Sequence, residues 1–554
     1  MSLQENEKSQ ETAQQNDADS VPSSSATPLE SSESAGEAAS RKSLAFHLTF
    51  FAVLINLFVY ALDATTLAVA TPAITAELSG TSLESFWASI SYLLAVAVTQ
   101  PLYASLSDVL GRKTCLYVAY VFFAVGSIVF ATAHVMGAII AARILQGLGG
   151  GGLDVLSEVV VTDMTTLKER PRYLGLMAIP TALGSVLGPT VGGVFSSLVS
   201  WRWLGWINLP LLGISFPLTA VFLQLRQLEH SQLIRLKSLD WCGLLLFTAG
   251  TVLFAVPLSW AGNLYPWGSF QTLLPLLIGA AILIVFAIYE SKPTAPIMPH
   301  RIFRSKTVSA TLTGVFLHGA SLYSLLQWLP LFYRAVMTKT VLQSAVTLLP
   351  ASATSVVAAV LGVTVVGMAN MGYVWSIRIS WALTAAGTGL LILLGTSSSS
   401  SMVYGLPVLW GAGIGLLLRL LYLPLQASLV RVDYTGIAIG ILLTFRLLGG
   451  LVGLSICSTV FSSFFSHAIG AVGELPPWAE QLRNPNAAIA FIPQIKALHL
   501  SEGMLLPILH AYLTSIRPIF YIMTGLGGLG FVTSFFTSEL TLQRTERGQQ
   551  RFEG

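Results

Sequence analysis

Fourteen apolar runs, each near the roughly 20 residues that cross a bilayer, alternate along the chain with polar connections. They fall at about 45–70, 86–107, 113–133, 136–158, 172–196, 202–223, 239–259, 272–289, 306–333, 341–367, 375–396, 403–428, 435–463 and 516–537. Each predicts a helix, because a backbone in lipid must satisfy its own hydrogen bonds. Two stretches break the pattern. Residues 1–42 are rich in Ser, Glu, Gln and Ala, too polar to bury a core, and read as a disordered tail without the apolar centre of a cleavable secretory signal. About 464–514 is a long connection with a Pro476–Trp478 turn and an apolar stretch near Ala497–Leu513, expected as a partly helical flap on the membrane surface.

Composition agrees with this pattern: 54% of residues are hydrophobic and 10% charged, against roughly 25% charged in soluble domains. The chain is therefore read as an all-α polytopic membrane protein. A net charge of +3 spread over 554 residues leaves no basic stripe for nucleic acid. Cys115, Cys242 and Cys457 form no metal-ligand pattern, and eight scattered histidines include no HExxH. No metal, no cofactor and no enzymatic centre is expected.

The connections test the count of spans, because Lys and Arg collect on the cytosolic side. Arg41 and Lys42, then Arg112 and Lys113, Lys168 to Arg172, Arg226 to Lys237, Lys292 to Lys306, Arg378 and Arg431 all fall on one side of a fourteen-span path. Both termini are accordingly expected in the cytosol.

Within the fifth run, Gly184, Gly188 and Gly192 are spaced by four and share a helix face, where another helix can approach closely. Pro189 removes a backbone donor, so this stretch, ending at Gly193, reads as a bent, packed hinge. Small residues of the tenth run, Ala351 to Ala358, offer one matching surface. Ionisable residues inside spans are costly and are candidate functional groups. Asp63 in the first run and Arg143 in the fourth lie at compatible depths, which admits either a proton-coupling pair or a structural ion pair. Between the second and third runs stand Asp108, Gly111, Arg112 and Lys113, which can latch a cytosolic gate by reaching Glu158 or Asp163, or can serve as an ordinary positive loop. Arg446 and Arg419 either face a central cavity or extend to the interface. Gln146, Gln327, Trp328 and Arg446 are the substrate-cavity candidates.

These motifs together resemble the major facilitator superfamily, and within it the 14-spanner drug:proton antiporter family. Leu62-Asp63-Ala64-Thr65 through Pro72 is similar to the first-helix signature, with Ala68 at a position often Asn. Ser107–Lys113 is similar to the cytosolic loop motif, with Ala104 and Val109 replacing its usual Gly and Arg. Arg143, Gln146, Gly147 and Gly149 match the fourth-helix motif, and Gly184–Gly193 fits the antiporter motif at every specified position. Trp201-Arg202-Trp203 with Ile207–Pro210 matches the entry to the sixth helix, apart from Gly205.

The resemblance implies two six-helix bundles, 43–225 and 301–540, with two inserted spans in 226–300 and a cytosolic tail at 541–554. It further implies a monomeric exporter of small organic compounds, driven by proton antiport with alternating access. The Ser-rich tail and long connection look like fungal toxin and secondary-metabolite exporters. A siderophore or metal-chelate carrier of the same architecture is the alternative, and a membrane-embedded enzyme the alternative outside transport. The expected location is the plasma membrane, with a vacuolar or vesicle membrane as the other option.

Overall fold

The first helix is longer than a bilayer requires. In the computed structural model, α1 (Leu44–Glu77) has 34 residues, roughly 51 Å at 1.5 Å per residue, against a hydrocarbon core of about 30 Å. Its far end therefore projects past the apolar layer and carries Glu77 into a polar setting. The structure describes residues 42–554 apart from 81, 227–239, 262–264, 294–296, 369–371, 430–433, 473–474, 476–478, 484–487, 490, 493–494, 496–501, 544–549 and 554. The N-terminal tail, the Pro476–Trp478 turn and Arg431 lie outside the described residues.

Each apolar run forms a helix: α2 (Ser82–Leu110), α3 (Arg112–Ala131), α4 (Met136–Met164), α5 (Arg170–Val194), α6 (Asn208–Phe222), α7 (Trp241–Trp260) and α8 (Phe270–Tyr289). The later ones are α9 (Lys306–Ala335), α10 (Val341–Met368), α11 (Tyr373–Leu391), α12 (Ser400–Leu420), α13 (Thr435–Gly470) and α14 (Glu502–Ser534). Among the described residues, thirteen helices are long and apolar enough to cross a membrane. The fourteenth, α11, carries Arg378 with Ser376, Ser380, Thr384 and Thr388, which leaves it short on apolarity.

The helices pack in two equivalent sets. α1 lies on α5 and α6, and both α2 and α3 lie on α4; correspondingly α9 lies on α13 and α14, and both α10 and α11 lie on α12. Between the sets, α2 meets α13 and α5 meets α10, a reciprocal pair under the same correspondence. α7 and α8 pack on each other, with α7 against α2 and α13.

Glycines make these approaches possible, since a small residue lets two backbones come close. A Cβ at Gly184 would stand 2.7 Å from the carbonyl oxygen of Phe58. At Gly188 it would strike Thr65, and at Gly192 the carbonyl of Thr66. The fifth-helix stripe therefore faces α1. The tenth helix uses its small residues elsewhere, receiving Gly411 and Gly415 of α12 at Ala351 and Ser355. α5 remains helical through Pro180 and Pro189 and ends in a short π-helical turn, Phe195–Val199.

The long connection differs from its expectation. α13 runs to Gly470 and α14 starts at Glu502, so the stretch to Leu513 expected as a surface flap is the opening of the last helix. The reason is burial. Leu509, Tyr512 and Leu513 are inside, and the Tyr512 hydroxyl donates to the Ala488 carbonyl at 2.6 Å. Ala479, Leu482, Phe491, Ile492 and Ile495 join the same apolar cluster as Trp328, Phe461 and Phe465, so the segment caps this end of the later helices.

Candidate functional site

Asp63 sits in α1 with both carboxylate oxygens occupied. Arg143 Nη1 of α4 donates to Oδ2 at 2.5 Å, while Gln146 Nε2 and Asn208 Nδ2 donate to Oδ1 at 3.3 and 3.0 Å. Arg143 Nη2 also donates to the Asp63 carbonyl at 3.3 Å. Ser127 Oγ of α3 accepts from both Gln146 and Asn208 at 3.2 Å. The guanidinium lies 4.3 Å from the Tyr92 ring centroid, a favourable stacking for a desolvated cation. Asp63 and Arg143 are 3% and 2% exposed. Such burial is tolerable because the charges are paired and their remaining hydrogen-bonding positions are largely filled. The network joins α1, α3, α4 and α6, all of the first set.

A second polar cluster lies deeper along α4. Asp154 Oδ2 accepts from Gln100 Nε2 of α2 at 2.7 Å, and among the described residues Asp154 has no other side-chain hydrogen bond and no ion pair. One turn on, and on the same helix face, Glu158 Oε1 accepts from Arg419 Nη1 of α12 at 2.5 Å. That pair crosses from the first set to the second, with both side chains 3% exposed. Arg446 of α13 donates to the Leu418 carbonyl at 3.1 Å and to the Tyr422 hydroxyl at 3.5 Å, and among the described residues no carboxylate pairs with it. Gln100 Oε1, Glu158 Oε2, Arg419 Nε and Arg446 Nε are buried without partners.

At the end of the molecule that carries the Ser107–Lys113 loop, Gly111 adopts φ +94°, a conformation that glycine takes without strain. The resulting turn points Arg112 inward. Arg112 pairs with Asp108, with Asp163 through Nε at 3.0 Å, and with Ser107 Oγ at 2.5 Å. Lys113 Nζ donates to the Ala220 carbonyl at 2.7 Å. The start of α13 rests on this cluster: a Cβ at Gly436 would be 3.0 Å from Arg112 Nη2 and 3.3 Å from Asp108 Oδ1. Nearby, Arg170 Nη1 of α5 donates to Gln426 Oε1 at 3.4 Å.

The chain returns to this same place after α14. Glu539 accepts from the backbone amides of Tyr373 and Val374 at 3.0 and 2.9 Å, fixing that stretch to α11. Residues 550–553 then dock on the first set. Gln550 accepts from the Arg112 amide at 3.1 Å and donates to the Ser107 carbonyl at 3.0 Å. Phe552 N donates to the Asp163 carbonyl at 3.3 Å, and its ring meets Phe46 edge-on. Glu539 on α11 and residues 550–553 on the first set thus strap the two sets together at the loop end.

The structure brings Asp63, Arg143 and Gln146 together in one network and Asp108, Arg112 and Asp163 in another. Glu158, expected near Arg112 or Lys113, instead meets Arg419 in the interior. Trp328 packs against Phe461 inside the apolar core of the second set, with centroids 5.0 Å apart, while Gln327 is exposed. Sequence reasoning missed Asp154, Gln100, Ser127 and Asn208 as site residues. Asp154 carried a readable signal, a carboxylate inside an apolar span; Asn208 stood in a quoted motif, and Ser127 and Gln100 offered none. Among the described residues no group of three His, Cys, Asp or Glu could hold a metal.

A family model described as Major Facilitator Superfamily matches residues 53–454. The chain is 52% identical over 520 residues to the MFS-type transporter sphD of Aspergillus fumigatus, covering 93% of this chain and 89% of the relative. It is 32% identical over 509 residues to the efflux pump FUS6 of Gibberella moniliformis, covering 91% and 90%. Among solved structures, the proton:xylose symporter XylE superposes with a TM-score of 0.56 at 12% identity, over 91% of this chain and 98% of that one, a likeness of fold.

Proposed function

Because this chain belongs to the major facilitator superfamily, we propose that it exports small organic compounds, of the toxin or secondary-metabolite kind, by proton antiport with alternating access. The sets 43–225 and 301–540 act as rocking bundles, with α7 and α8 inserted between them in sequence and the loop end facing the cytosol. The observation that carries this reading is the Glu158–Arg419 pair, a buried contact between bundles that rocking would have to break. Export as the direction rests on the Gly184–Gly193 stripe and on relatives named efflux pumps. Arg446 and exposed Gln327 supply the recognition surface, and Asp63 with Arg143 ties α1, α4 and α6 into one body so that coupling is not lost in flexing. The Arg112 cluster closes the cytosolic gate. Residence in the plasma membrane as a monomer completes the proposal.

The test is purified protein in sealed vesicles with an imposed pH gradient and a panel of candidate compounds. The expected result is accumulation that follows the gradient and collapses with it. Movement that persists when both pH and voltage gradients are abolished would contradict proton coupling.

A further inference from the structure

Asp63 and Asp154 are both buried carboxylates near α4, yet they are built in opposite ways. Every hydrogen-bond partner of Asp63 comes from its own bundle, so rocking leaves its surroundings intact. The charges within electrostatic reach of Asp154 are Glu158, one turn away on α4, and Arg419 and Arg446, both on the facing bundle. Tyr60, Tyr92 and Tyr323 border the same group from α1, α2 and α9. Among the described residues only the Gln100 amide holds Asp154, and the adjoining Glu158 Oε2 and Gln100 Oε1 are buried with nothing bonded to them.

We propose that Asp154 and Glu158 together form the site that takes up and releases the driving proton, with Arg419 and Arg446 of the opposite bundle as its switch. This rests on the antiport reading above. In the observed arrangement, closed at the loop end, Arg419 neutralises Glu158, while Asp154 has no ion-pair partner among the described residues. A buried carboxylate beside a second one and without its own cation favours the protonated form, so Asp154 takes a proton from water on the outer side and one O–H bond forms. When the bundles part at the loop end, Arg419 and Arg446 leave with α12 and α13 and cytosolic water reaches the helix face. Hydration restores the charged form; the O–H bond breaks and the proton passes to cytosolic water. No other reactant is needed, and the proton moves inward as the compound moves outward.

The test is a pH-difference infrared measurement on the full chain in lipid, following the C=O stretch of protonated carboxyl groups. A titrating band is expected in the unmodified protein, shifted in Asp154→Asn and in Glu158→Gln, absent in the double variant and retained in Asp63→Asn. Arg419→Lys, which keeps the cation in a less committed geometry, should move the pH at which the band appears. A band unchanged in the double variant, or lost in Asp63→Asn, overturns the proposal. The infrared result reports protonation and the vesicle experiment reports coupling, so failure of one is read apart from failure of the other.

Discussion

Two sites along α4 differ in where their partners come from. Around Asp63 the carboxylate accepts from α4 and α6 of its own bundle, and its cation stacks on Tyr92. Around Asp154 and Glu158 the cations come from the opposite bundle and several polar atoms are left open. Both networks leave buried polar atoms open, Arg143 Nε and Asn208 Oδ1 at the first and Gln100 Oε1 and Glu158 Oε2 at the second; what separates them is that the second draws its cations from across the bundle boundary, which poises it to rearrange. Magnitudes favour the second as the moving part. Two carboxylates about 6 Å apart, one helix turn, repel by about 3 kcal/mol at an effective dielectric near 20. That is comparable to a hundredfold change in proton binding.

The comparison can be broken most forcefully at the first site. Arg143→Ala leaves Asp63 buried and uncompensated, a loss of about 3–5 kcal/mol. It should lower the unfolding temperature of the purified protein sharply and depress gradient-driven and gradient-free transport alike. Normal stability in this variant would remove the structural role assigned to the pair. Next in size, Gly188→Leu must displace Thr65 of α1, and overpacking of this kind costs about 1–3 kcal/mol. Membrane insertion should survive with impaired transport, whereas Gly213→Leu, where nothing lies within 4 Å, should behave as the unmodified protein.

The strap provides a smaller perturbation. Gln550→Ala deletes two buried hydrogen bonds at the Ser107–Arg112 turn, each with a net worth of about 1 kcal/mol. Spin labels on exposed Lys168 and Lys306 should show a larger open fraction at the loop end; an unchanged distance distribution would show that the strap holds nothing shut. The smallest effect is expected at Glu77, outside the apolar layer. Hydrogen bonds from Arg202 and Trp201 hold its carboxyl below the ordinary glutamate range. A lowered folded value means that the stabilisation is present at neutral pH and is lost as pH falls through that value. The group is exposed, so solvent screening keeps the effect to a few tenths of a kcal/mol. Glu77→Gln should flatten the acid side of the stability profile slightly, as read by thermal unfolding against pH.

Helix positions were legible because spanning length and apolarity constrain them directly. The start of α14 was not, since polar and proline residues interrupt the stretch that leads into it, and only packing against Ala488 and its neighbours shows it to be continuous with the span. Asp63 and Arg143 could be paired from depth alone. Glu158 could not be paired correctly: sequence places it near the loop end, but its helix face points to α12, a relation set by docking of the two bundles. Gln550-Arg551-Phe552 has no periodicity that announces a docking site, and its role emerges only from the bonds to Ser107 and Arg112. Asp154 was readable as a buried charge, yet its lack of a cation partner is a three-dimensional fact.

The most direct measurement compares gradient-driven accumulation with gradient-free exchange of one transported compound in vesicles, for the unmodified protein and for Asp154→Asn combined with Glu158→Gln. The account predicts that the double variant still exchanges compound across the membrane but no longer accumulates it in response to a pH gradient. Undiminished accumulation by the double variant would contradict it.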